Sequence, residues 1–202
     1  MDLAEVGTSA VQIFAILNPI SVIPVFLSLT EGRSETEVKK IVRVVSVAIF
    51  LMMAVFSFAG ELMLKLLGIT VTGLKVGGGA ILMVLAVDML QGMPRTKSVE
   101  EEELAIVPIS TPLLVGPGTM TTILLLSSKY SKIYGHLGSA LMLIIASLTV
   151  ALASYFILAN SSKLRKLLGL NGLRGLSRFM AIIVAASAAD MIISGISDVI
   201  SG

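Results

Sequence analysis

The segment Leu104–Leu126 runs without a single charged side chain. As a helix rising 1.5 Å per residue it would cover roughly 30 Å, the thickness of bilayer hydrocarbon. Runs of this kind recur along the chain and set its class. Of the 202 residues, 55% are hydrophobic and only 14% charged, with mean hydropathy +0.98. Soluble domains carry about 25% charged residues. The pattern predicts an all-α polytopic membrane protein with six spans, near Leu3–Thr30, Val38–Gly60, Ile69–Gly92, Leu104–Ser127, Leu137–Ala159 and Leu176–Ile200. They take up most of the chain and leave no room for a separate soluble domain. The N-terminus, MDLAE, lacks the basic start of a signal peptide, so the first apolar run is read as a retained helix.

Lysine and arginine set the expected orientation. One side receives Arg33, Lys39, Lys40, Arg43, Arg95, Lys97, Lys163, Arg165, Lys166, Arg174 and Arg178; the other receives Lys65, Lys75, Lys129 and Lys132. Both termini fall on the poorer side, which predicts a multi-pass cell-membrane protein with extracytoplasmic termini. Lys75 and Arg178 lie near the starts of their spans and are expected to snorkel. The acidic run Glu100–Glu103 suits the positive end of a following helix.

The two halves repeat. KLLG occurs at Lys65–Gly68 and Lys166–Gly169, Asp-Met at Asp88 and Asp190, and Gly-Leu at Gly73 and Gly175. The offsets are 101, 102 and 102 residues. Three spans per half make the second half enter from the opposite face. The expected plan is two inverted three-helix repeats (1–92 and 104–202) joined by a cytoplasmic linker, 93–103.

Spans one and four are interrupted alike. NPISVIP (Asn18–Pro24) and TPLLVGP (Thr111–Pro117) each carry prolines five apart. Proline lacks an amide hydrogen and clashes with the carbonyl four residues back. Matched interruptions in corresponding spans predict discontinuous helices, which survive in a membrane only inside protein or against a wet cavity. The N-terminal end of a half-helix suits a carboxylate, and the C-terminal end suits an ammonium or a cation. Neither break contains Lys, Arg, Asp or Glu, so the geometry fits a zwitterion of no net charge.

The polar side chains on offer are Asn18, Ser21, Ser110, Thr111, Thr119 and Thr121. For the hydroxyls a bond back to the helix carbonyl is the plain alternative, whereas an amide in mid-membrane needs partners. Gly77, Gly78 and Gly79 serve close packing or a bare wall beside the breaks, with Gly78 as the candidate contact. Pro19, Pro24, Gly116, Pro117 and Gly118 shape the breaks. Asp88 and Asp190, toward opposite membrane faces, are candidates for coupling or gating; helix-end carboxylates reaching interfacial water are the plain alternative.

The absence of cysteine excludes disulfides and thiolate metal sites, and the single histidine, His136, disfavours multi-histidine metal sites. No nucleophile with a partnered base is present in the spans, so no enzyme activity is expected. No metal, cofactor or nucleic-acid partner is expected either.

NPISVIPVFLSLT (Asn18–Thr30) and PISTPLLVGPGTMTT (Pro108–Thr122) resemble the signature segments of the MarC family of six-span membrane proteins. The resemblance covers nearly the whole chain and is nearest to the small neutral amino acid transporter (SnatA-like) branch. It implies proton-coupled transport of glycine or alanine; the residues themselves leave Na⁺, held by carbonyls alone, as the other coupling ion. It also implies that substrate contact falls among Asn18, Pro19, Thr111, Pro112, Gly116, Pro117 and Gly118. The expected function is secondary active transport by alternating access. The alternative is an exporter or channel for another small solute.

Overall fold

The computed structural model describes residues 2–91 and 115–201. Among these it contains six helical elements and no strand: α1 (Leu3–Leu17), α2 (Ile23–Leu29), α3 (Glu35–Leu66), α4 (Val71–Gln91), α5 (Pro117–Ala159) and α6 (Ser161–Ser201). Glu100–Glu103, Arg95, Lys97 and the linker 93–103 lie outside the described residues, as does the start of the fourth span at Leu104.

Local chemistry sets the ends. Asp2 caps α1 by accepting from Ala4 N–H at 3.0 Å. Ser34 and Glu37 form a capping box at the start of α3. At the other end of α3, Gly68 adopts φ 65°, and Ile69 N–H donates to the Leu64 carbonyl while Gly68 N–H donates to that of Lys65. This is a Schellman closure, which favours glycine because a Cβ strains the left-handed region.

α5 is 43 residues long, about 65 Å if straight, twice the hydrocarbon thickness. Gly135, at φ 70°, divides it into limbs 117–134 and 136–159. Gly169, at φ 64°, divides α6 likewise. The fourth apolar segment therefore stays helical beyond Ser127, through Lys129 and Lys132, rather than ending in a loop. The stretch after Ala159 is also largely helical.

Four helices are long and apolar enough to cross a membrane, and α1 is a shorter apolar helix. On α3, Val44, Val47, Leu51, Val55, Phe58 and Leu62 recur at three- and four-residue spacing and are exposed. Leu137, Leu141, Ile145, Leu148, Leu152 and Phe156 do the same on α5. The inner faces instead bury Ser57, Ser147 and Ser154, with the Ser57 and Ser147 hydroxyls 3.5 Å apart between α3 and α5. Large apolar side chains outside and small polar ones inside suit a lipid surround, where close packing and interhelical hydrogen bonds replace the hydrophobic drive.

α3 packs along α5, α4 along α6, and α1 against α5. The α4–α6 pair is antiparallel: Gly195 meets Thr72 and Val76, Gly79 meets Ala188 and Ile192, and Arg178 Nε donates to the Leu90 carbonyl at 3.1 Å. Arg178 thus ties α6 to the end of α4. Lys75 reaches Asp198 at 2.6 Å and Ser194 at 2.8 Å rather than snorkelling alone.

Candidate functional site

The first apolar run is interrupted where its motif falls. α1 ends at Leu17, and Asn18 takes a left-handed conformation, φ 44° and ψ 66°. Asparagine tolerates that region better than most side chains. The turn Asn18–Val22 satisfies part of its own backbone. Asn18 N–H donates to the Phe14 carbonyl, and the Asn18 carbonyl accepts from Ser21 N–H at 3.2 Å and from Ser21 Oγ at 2.8 Å. Ser21 therefore makes a local bond, the plain alternative for a hydroxyl. Pro19 is buried in the turn and Pro24 sits in the first turn of α2, where its missing N–H is harmless.

Asn18 is fully buried. Its Nδ2 donates to Ser177 Oγ on α6 at 3.1 Å, while its Oδ1 has no hydrogen-bond partner. A buried unpaired carbonyl costs about 1–3 kcal/mol. It stands at the C-terminal, partially negative end of α1.

The second break is described from Val115 onward; Ser110, Thr111 and Pro112 lie outside the described residues. Gly116 is the extended N-cap of α5, and Pro117 occupies the first helical turn. Nothing lies within 4 Å of where a Gly116 Cβ would stand. Gly118 is wedged in place: a Cβ there would lie 2.8 Å from Leu82, 3.3 Å from Leu85 and 3.4 Å from Ile16. The start of α5 thus abuts the last turn of α1, two residues from Asn18. Thr119 is buried beside it, and Thr122 bonds back to the Gly118 carbonyl at 2.9 Å.

Gly78 lies against the same limb of α5. A Cβ at Gly78 would fall 2.0 Å from Thr121 Cγ2, so its bare surface is filled by that methyl. A Cβ at Gly79 would meet the Ala188 carbonyl at 2.9 Å. Both serve close helix approach, whereas Gly77 has nothing within 4 Å.

The two aspartates are far apart along the α4–α6 pair. Asp88 is half-buried in the last turn of α4, near the Arg178 clasp on Leu90. Asp190 is exposed to a cavity of about 640 Å³ between α1, α4, α5 and α6. Sequence reasoning missed this cavity. Its lining includes Gln12, Lys75, Lys129, Lys132 and Asp198, and its inner part reaches Ile16 and Thr122, next to the breaks. The legible signal was Ser128, Lys129 and Lys132 at helical spacing beside an apolar run, since intramembrane cations generally face water or protein. Among the described residues no cluster of side chains suits a metal ion.

Comparison with known proteins agrees with this architecture. Residues 3–200 match the description "MarC family integral membrane protein". A UPF0056 membrane protein of Methanocaldococcus jannaschii is 31% identical over 97% of this chain and 98% of its own. One from Pyrococcus horikoshii is 33% identical, covering 91% of this chain and 90% of its own. The UPF0056 inner membrane protein YhgN of Escherichia coli K12 is 33% identical over 95% of this chain and 96% of its own. No solved structure matches the chain. With helices of spanning length, lipid-suited outer faces and a match from residue 3 to residue 200, the chain belongs to the MarC family of integral membrane proteins.

Proposed function

We propose that the chain is a secondary transporter of small neutral amino acids such as glycine and alanine, working by alternating access. The observation that carries this reading is the meeting of the two breaks. The buried, unpartnered Asn18 Oδ1 stands at the end of α1. Gly118, in the first turn of α5, lies against Ile16. An ammonium suits the α1 end and a carboxylate suits the α5 start, where free N–H groups and the helix dipole favour anions. No side chain of net charge is required, which matches a neutral zwitterion.

The framework supporting this is six crossings in two inverted halves. Gly68 and Gly169, in the repeated KLLG, share φ values of 65° and 64°. Gly32 and Gly135 form a second pair at 77° and 70°. Elements equivalent under that repeat pack on one another, α3 on α5 and α4 on α6. Rocking one half against the other would expose the central site to each side in turn. The basic residues favour extracytoplasmic termini. Proton coupling, with Asp88 or Asp190 as the titrating group, follows the neutral amino acid branch; sodium is the other candidate ion.

Counterflow in proteoliposomes tests the reading. Unlabelled alanine inside should accelerate entry of labelled alanine, and an imposed proton gradient should drive accumulation more strongly than a sodium gradient. Flux without trans-stimulation would assign a pore instead. No flux of any neutral amino acid by folded protein would refute the proposal.

A further inference from the structure

The cavity beside the breaks holds charged side chains that do not line the central site. Near the helix ends that border it, Lys75 and Asp198 pair at 2.6 Å, and Lys75 also bonds Ser194. Lys129 lies 5.1 Å over the Tyr130 ring, and Lys132 follows one turn later on the same face of α5. Asp190 has no ion-pair partner among the described residues.

These groups stand at different depths. Asp190 precedes Asp198 by eight residues on α6, which places it about 12 Å deeper along the helix. Its neighbour Met191 reaches the bare face of Gly78, where Thr121 also packs. Asp190 is therefore level with Thr121, one turn from Gly118. Lys129 stands seven residues beyond Thr122, about 10 Å nearer the end of the limb. A carboxylate thus sits near the floor and two ammonium groups nearer the mouth, between walls that include Ile16, Leu125 and Leu126. Apolar walls strengthen the field of such charges and favour a solute of complementary polarity.

We propose that this cavity is a second binding station, ahead of the breaks, for a solute carrying both a primary amine and a carboxylate. The solute docks amine first, its ammonium on Asp190 and its carboxylate toward Lys129 and Lys132. The volume of about 640 Å³ is in the range of small-molecule sites and leaves room for water around a solute as small as alanine. The identity of the solute rests on the transport reading; the amine-first polarity rests on the cavity alone.

Titration of the full chain in nanodiscs with alanine separates the two. The expected isotherm has two components. Asp190→Asn should weaken one by about tenfold or more, the worth of a charge-assisted hydrogen bond, and leave the melting temperature unchanged. Asn18→Ala should remove the other. Ethylamine, which has the amine but no carboxylate, should compete for the Asp190 component. Lys129→Gln with Lys132→Gln should weaken alanine there and spare ethylamine. A single component lost in Asn18→Ala and untouched by Asp190→Asn overturns the second station and leaves the central site standing. A single component lost in Asp190→Asn alone does the reverse. No binding of alanine or ethylamine to folded protein overturns both.

Discussion

Asn18 combines two roles that substitution can separate. It is the only non-glycine residue with positive φ among those described, and its amide joins α1 to Ser177 on α6. Asn18→Ala strains a left-handed backbone by about 1–2 kcal/mol and forfeits a hydrogen bond worth about 1 kcal/mol. Asn18→Gly loses the same bond but sits without strain. Both variants lose the bond to Ser177 and the unpaired Oδ1 together, so they differ only in strain, and the glycine variant should be more stable than the alanine variant by about 1–2 kcal/mol. Neither should transport alanine, since neither restores Oδ1. Denaturant unfolding beside proteoliposome uptake checks this; equal stability of the two variants would remove the strain argument. The sequence marks Asn18, because an amide deep in an apolar run demands a partner. It does not mark Ser177, which lies 159 residues away and is brought in by tertiary packing.

At the scale of elements, three adjacent glycines of α4 should respond differently to one added methyl. Gly77→Ala meets open space and gains helix propensity, so it should be silent or stabilising by up to about 1 kcal/mol. Gly78→Ala drives a Cβ to within 2.0 Å of Thr121 Cγ2. Gly79→Ala faces the Ala188 carbonyl at 2.9 Å, backbone that cannot turn aside. Both should destabilise by about 1–3 kcal/mol. Thr121→Ser removes the offending methyl, so it should relieve Gly78→Ala and leave Gly79→Ala unrelieved. A double-mutant cycle with no coupling between positions 78 and 121 would contradict the packing. The sequence presents the triplet as small residues; which of them is filled depends on how α4 is rotated against its neighbours. Helix limits were legible only where lipid defines them. Apolarity ends near Ser127, yet the first limb of α5 runs on to Gly135, its Lys129 and Lys132 lining a cavity.

For the whole molecule, the test of inversion lies in the repeated motif. Leu66 and Leu167 occupy the same place in the two KLLG copies, each directly after a lysine, and are 77% and 81% exposed. A direct repeat would carry both to one membrane face; an inverted one carries them to opposite faces. The distribution of lysine and arginine predicts Leu66 outside the cytoplasm and Leu167 within it. The chain has no native cysteine, so Leu66→Cys and Leu167→Cys each introduce one thiol on a silent background. On intact cells a membrane-impermeant maleimide should label Leu66→Cys alone, and Leu167→Cys should label only after permeabilisation. Labelling of both from one side would remove the inverted repeat, and with it the opposed half-helices on which an alternating site depends. Labelling from the two sides in the reversed sense would keep the inversion and turn the molecule over, placing the mouth of the charged cavity in the cytoplasm.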